Sequence, residues 1–328
     1  MKNFFYVGIP VILLTLLMAF RNSDVQSFGE FMRGQPVIDV HVHLTKGIEG
    51  NEVYTNGTFQ EGPQLDEVRL QYLQYEFNNN NVVLAIGGGV PKYAALYGKK
   101  EPRIWSGLIF PCSKLVDDEE PCEKEFLGYE ELKALYDEQG FRAMGESLYN
   151  YYGIPPTDPR LAPYWKFAAE RNLPVGIHSD SGPNRVDEKE RPHFNPEFAN
   201  PEALRPVLDQ YPNLKIYLMH YGNDYTDEAI ALMNDYPQIY CDISAISILL
   251  PKRLWEQNLR KLYAAGLGDR LMFGSDYFGT TRQHLKAIFD IGWLYEEQKR
   301  DILYYNAARF LELSEEEIRQ HHAWVRPR

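Results

Sequence analysis

Two periodicities alternate along most of this chain. Short apolar runs of strand length lie at 37–43, 82–86, 104–110, 141–146, 174–178, 215–220, 239–243 and 271–276. Between them apolar residues recur every three to four positions, the spacing of helices with one buried face, at 65–77, 130–138, 161–171, 201–211, 226–235, 252–265 and 282–289. Helix ends are punctuated by Asp158-Pro159 and Asn200-Pro201, a capping residue before a proline, and by Gly266 and Gly268. Eight strands alternating with helices over about 280 residues predict one α/β domain, a (β/α)8 TIM barrel. The rival, a doubly wound open sheet, would carry Gly-x-Gly-x-x-Gly after its first strand, and none stands there. Gly87-Gly88-Gly89 follows the second run and reads as a tight turn.

The pattern breaks at the amino terminus. Residues 4–20 are apolar and uncharged, interrupted by Pro10 and followed by Arg21-Asn22-Ser23-Asp24. The stretch is long for the apolar region of a signal peptide and short for a comfortable membrane span. We read residues 1–24 as a signal peptide or membrane anchor, 36–314 as the barrel and 315–328 as a C-terminal tail. The protein is then expected to be exported, periplasmic or extracellular, or tethered to a membrane through residues 4–20 alone. Cys112 and Cys122 flank a loop; they either pair in an oxidising compartment or stay free thiols. With 44% hydrophobic and 24% charged residues among 328, the mixture is that of an ordinary globular protein. A formal net charge of -12 excludes sequence-independent nucleic-acid binding, which needs basic surface to neutralise phosphate.

Chemistry enters at the strand ends. The first run reads Pro36-Val37-Ile38-Asp39-Val40-His41-Val42-His43-Leu44. Residues two apart on a strand share a face, so His41 and His43 turn toward one point and supply half of a transition-metal site. Three later runs also close on a ligand-type residue: His178, His220 and Asp276. The chain has 8 histidines, and four of them stand at predicted strand ends. The other four are expected at the surface: His193 in a loop, His284 on a helical pattern, and His321 and His322 near the end. Barrel closure would bring the carboxyl ends of strands one, four, five, six and eight to one mouth, where barrel enzymes place their chemistry. Five polar groups stacked there without a cation would be expensive to bury.

Those motifs, together with Phe273-Gly274-Ser275-Asp276 and the closing Tyr305-Asn306-Ala307-Ala308-Arg309-Phe310-Leu311, resemble the amidohydrolase superfamily. The likeness is greatest to its amidohydrolase-related branch of metal-dependent hydrolases and decarboxylases, and it spans roughly 36–313. The resemblance implies that His41, His43 and His178 hold a divalent metal by nitrogen, Zn2+ first and Mn2+ or Fe2+ next. Asp276 would complete the site and carry the proton of an attacking water. His220 would be a second-metal ligand or a hydrogen-bonding residue beside that water. Glu146, at the end of strand four, would ligate or bridge, or bond only to neighbouring loops. No lysine stands there, so a carbamate-bridged metal pair is not expected. Asp39 would orient a ligand histidine or accept from backbone amides.

The expected partner is a small molecule, hydrolysed at an ester, lactone or amide bond. The alternative is non-oxidative decarboxylation of an aromatic or unsaturated acid, and a non-catalytic binding barrel comes last. Long loops at 44–64 and 179–200 stand above the mouth. The second carries Asp180, Asn184, Arg185, Arg191 and His193. Arg185 and Arg191 would clamp a substrate carboxylate, or are solvated loop charges. Tyr149, in Tyr149-Asn150-Tyr151-Tyr152, would line the substrate pocket or merely pack at the rim.

Overall fold

The computed structural model describes residues 26–45, 52–55, 58–61, 66–111, 126–182, 193–276 and 281–325. The apolar leader 4–20, Cys112, Cys122, Arg185 and Arg191 lie outside them.

Eight strands form one sheet in chain order: β1 (Val37–His43), β2 (Val82–Gly89), β3 (Ile104–Phe110), β4 (Ala143–Ser147), β5 (Val175–Ile177), β6 (Ile216–Leu218), β7 (Tyr240–Asp242) and β8 (Leu271–Met272). Each lies parallel to its predecessor. The sheet closes on itself where Val40 N–H donates to Phe273 O at 3.0 Å and Asp276 N–H to His41 O at 2.9 Å. This is the TIM barrel expected from the alternation. Helices such as Asp66–Asn79, Tyr129–Gln139, Ala162–Arg171, Thr226–Asp235 and Lys252–Ala264 connect the strands. Among the described residues no helix is long and apolar enough to cross a membrane.

One apolar cluster joins Ile38, Val40, Leu84, Ile86, Tyr217 and Met272 of the strands to Phe310, Leu311 and Val325 of the C-terminal segment. The larger one packs strands against helices through residues such as Val37, Phe110, Trp165, Phe167 and Leu259.

Several expectations are corrected. Gly87, Gly88 and Gly89 do not turn; they extend β2, with Gly88 paired to His43 on one side and Gly107 on the other. Glycine is needed there for close approach, since a Cβ on Gly88 would lie 2.9 Å from the Cα of Gly145. The loop after β1 holds a small antiparallel hairpin, Glu52–Thr55 with Thr58–Glu61. The segment read as a tail is a helix, Glu315–Trp324, whose start is fixed by a reciprocal cap between Ser314 and Glu317. His321 and His322 are half-buried by it rather than at the surface, bonded to Tyr304 at 2.9 Å and to Tyr305 at 3.2 Å.

Candidate active site

The pairing of β1 with β2 slips between Asp39 and Val42, an irregularity that re-aims side chains where His41 sits. There Nε2 of His41 and of His43 lie 3.4 and 2.8 Å from Asp276 Oδ1. Glu146 Oε2 stands opposite, 3.9 Å from His41 Nε2 and 3.4 Å from His43 Nε2. The other oxygen, Glu146 Oε1, accepts from His178 Nδ1–H at 2.6 Å. His178 and His220 face each other with ring centres 5.0 Å apart. Three sets of donors therefore lie close enough to share a cation: His41, His43 and Asp276; His41, His220 and Asp242; Glu146, His178 and His220. His178 falls with Glu146 and His220, not with the histidine pair of β1. Glu146 spans both groups.

The loops that follow β6, β7 and β8 leave ordinary strand geometry. His220 has φ 59, Ala245 φ 56 and Asp276 φ 50, left-handed values that L residues adopt at a cost. This is why β6 to β8 are shorter than their apolar runs: the chain leaves the ladder to aim its donors inward.

Two residues absent from the sequence reading organise the cluster. Asp242 ends β7, and its Oδ1 accepts the backbone N–H of His220 at 2.9 Å and of Ser244 at 3.0 Å. The Ser244 hydroxyl gives its single proton to Asp242 Oδ1 at 2.6 Å. Ser244 Oγ must then accept from His41 Nδ1–H at 2.8 Å and His220 Nδ1–H at 3.1 Å. Both rings thereby turn Nε2 away from Ser244. That of His41 is buried without a hydrogen-bond partner. A buried ring nitrogen left without a hydrogen-bond partner beside two carboxylates marks a place for a cation, and the residues present fit a divalent metal. Asp242 was within reach of the sequence rule, since 239–243 is another apolar run with a carboxylate near its end.

Asp39 resolves to its structural alternative: Oδ1 accepts from the backbone of His41 at 3.2 Å and of Ser275 at 2.9 Å, tying β1 to the segment after β8. Tyr149 is buried edge-on against Trp165, ring centres 6.3 Å apart, so it packs at the rim. The tyrosine on the cluster is Tyr151, whose hydroxyl lies 3.3 Å from His178 Nε2. Asp180 Oδ1 lies 3.7 Å from the same nitrogen.

Electrostatics follow this interleaving. Burial opposes charge on His41, yet Asp276, Asp242 and Glu146 raise its pKa well above the ordinary value. Burial likewise works against His178, which Asp180 and Glu146 raise to about 9. Conversely, burial would protonate Glu146 and Asp276, but the histidines hold both well below the usual carboxylate range. Asp180 is lowered to about 2 against its own burial, through His178 and His220.

His284, expected at the surface, is 2% exposed, and burial pushes its pKa down to about 4. Below about pH 6.5 the unfolded chain takes up a proton that the folded protein refuses until pH 4, so this group removes stability as pH falls across that window. Between pH 7 and 5 the wild type should lose about 2 kcal/mol more than His284→Asn. Denaturant titrations at the two pH values check this, and equal losses would refute it.

A profile of the family described as Amidohydrolase matches residues 38–313. The chain belongs to that family. Protein fluG of Emericella nidulans is 26% identical over 163 residues, 44% of this chain, and the chain spans only 18% of that curated relative. Among solved structures, a probable 2-pyrone-4,6-dicarboxylic acid hydrolase from Acinetobacter baumannii superposes with a TM-score of 0.57 at 15% identity, covering 84% of this chain and 99% of that one. A dihydroxybenzoic acid decarboxylase from Polaromonas sp. JS666, with bound manganese, gives 0.56 at 14% identity, covering 87% and 99%. At such identities the likeness is one of fold. The family match and the three donor sets together support a divalent metal at this site.

Proposed function

We propose that the protein hydrolyses a small ester, lactone or amide, with Zn2+ as the metal and Mn2+ or Fe2+ as lesser fits. The observation that carries this reading is the convergence of His41 Nε2 and His43 Nε2 on one Asp276 oxygen, at 3.4 and 2.8 Å, at the mouth of the barrel. His41, His43, Asp276, Glu146, His178 and His220 would hold the cation. A nitrogen-rich set with carboxylates suits zinc. When bound, the cation supplies Lewis acidity and makes water acidic near neutral pH.

The chain's own residues do the remainder. Asp276 is held ionised by its histidines, so it is ready to accept a proton from an attacking water and return it to the leaving group. Ser244 fixes the Nδ1 sides of His41 and His220, which leaves Nε2 of each ring to reach a cation. His220 thus acts as an acceptor or ligand; to polarise a substrate carbonyl as a donor it would need a second proton. Tyr151, on the outer side of His178, is placed to contact substrate.

The rival reading, decarboxylation of an aromatic or unsaturated acid, draws on the same Asp276, which would pass a proton taken up from water to the carbon that loses CO2, instead of to a leaving group. A panel of esters, lactones, amides and carboxylic acids, run on protein of measured metal content, separates the two. Water-dependent cleavage without release of CO2 is expected. Release of CO2 alone would replace the first reading with the second, and metal-loaded protein inert to the whole panel would sink both.

A further inference from the structure

Beside the cluster lies a hydrogen-bonded pair, a buried histidine and a half-buried serine, that the proposed chemistry does not use. His284, on the helix Thr281–Phe289, shares a 2.8 Å hydrogen bond between its Nδ1 and the hydroxyl of Ser247. Ser247 belongs to the short helix Ile246–Leu249, which follows β7 by way of Ser244 and Ala245. Ser244 is the hydroxyl on which His41 and His220 both rest. The link between the two serines is strained: Ala245 holds φ 56, a conformation that persists only where its surroundings over-determine it. The turn has local support from Ile248 N–H and Leu249 N–H to Ala245 O, at 2.9 and 3.0 Å. The near end of the turn is tied to the barrel, by Ser244 N–H and hydroxyl to Asp242 Oδ1 at 3.0 and 2.6 Å and by Ile243 N–H to Met272 O at 3.1 Å. The hydrogen bond from Ser247 to His284 ties its far end to the helix Thr281–Phe289.

We propose that His284 is a positioning residue of the metal centre: through Ser247 it anchors the strained turn that carries Ser244, and so sets the orientation of His41 and His220. A residue there only to fill space would be apolar, because burying an imidazole is costly unless it is bonded. Burial keeps it neutral, so it serves as a hydrogen-bond partner and not as a charge. The inference rests on the proposed metal-dependent reading, and its test separates the two.

Zinc affinity is measured by competition with a chromogenic chelator for wild type, S247A, H284F and H284N, beside thermal midpoints of the metal-free proteins. Ring nitrogen NMR of metal-free protein supplies a readout independent of zinc. S247A and H284F should each bind zinc at least about tenfold more weakly, as loss of an orienting partner does. H284N, whose amide occupies the place of Nδ1, should restore affinity to within about threefold, on the same measure of an orienting contact kept. The Nδ1 signals of the His41 and His220 rings should report the hydrogen bond to Ser244 in wild type and H284N, and its weakening in S247A and H284F. Unchanged affinity and ring signals in S247A would overturn the proposal, as would weakening in H284F that H284N fails to reverse. Should wild type bind no zinc, the functional reading falls, and the Nδ1 signals alone decide the anchor. If H284F does not fold, S247A carries the test, because Ser247 is only half-buried.

Discussion

Replacing Asp276 by asparagine should lower kcat by about 10²- to 10⁴-fold, the range for losing a positioned general base. The substitution spares the backbone. Asp276 holds φ 50, a left-handed value that Asn tolerates nearly as well as Asp, so the backbone bond from its N–H to His41 O at 2.9 Å should survive. The amide oxygen can still face His43 Nε2, now 2.8 Å from Asp276 Oδ1, but it cannot take a proton at any working pH. The expected result is a loss of kcat at full metal loading, together with weaker metal binding and a lower thermal midpoint of the metal-free protein, since the same carboxylate is a donor and the charged partner of His41 and His43. Steady-state kinetics on the metal-loaded variant, with metal content measured on the same sample, check it. Turnover near that of wild type would leave the proposed hydrolysis without its base.

What the sequence could reveal depended on which force shaped each element. β1 and β3 have the bounds their apolar runs predict, Val37–His43 and Ile104–Phe110, because buried β-branched and aromatic residues leave few other conformations. The donors at strand ends were legible for a related reason: an apolar strand that stops at a histidine or aspartate has nowhere to aim that group except the mouth. His284 was not read correctly, although Thr281, His284 and Ile288 fall at helical spacing on one buried face. Its polarity suggested surface, and only Ser247, 37 residues earlier, explains its burial. The same limit applies to Tyr149 and Tyr151. They share one tight turn, and which of the two meets His178 depends on Trp165 packing against the other. Ser244 carried no signal of its own, because a serine after a strand is ordinary. Its importance comes from one hydroxyl reached by two distant histidines.

His41→Ala should be the most damaging single change to metal binding. His41 and His220 each belong to two of the three donor sets, whereas His178 belongs to one, and of the two His41 faces three carboxylates. Removal of His41 deletes a ligand nitrogen and also the cation-forming ring that faces Asp242 at 3.3 Å, Asp276 at 3.4 Å and Glu146 at 3.9 Å. Three buried carboxylates would then repel one another with only His43, His178 and His220 to offset them. Breaking a buried charged network by removing one partner costs about 3–5 kcal/mol, so the metal-free variant should also be markedly less stable than wild type. His178→Ala should lower bound metal and turnover too, but with a smaller loss of stability, since Glu146 keeps its contacts to the β1 histidines. Metal analysis after dialysis, turnover and denaturant titration of the two variants side by side test this ordering. Full metal content and wild-type rate in either one would remove that histidine from the ligand set. Equal stability in both would show that His41 does not hold the carboxylates together.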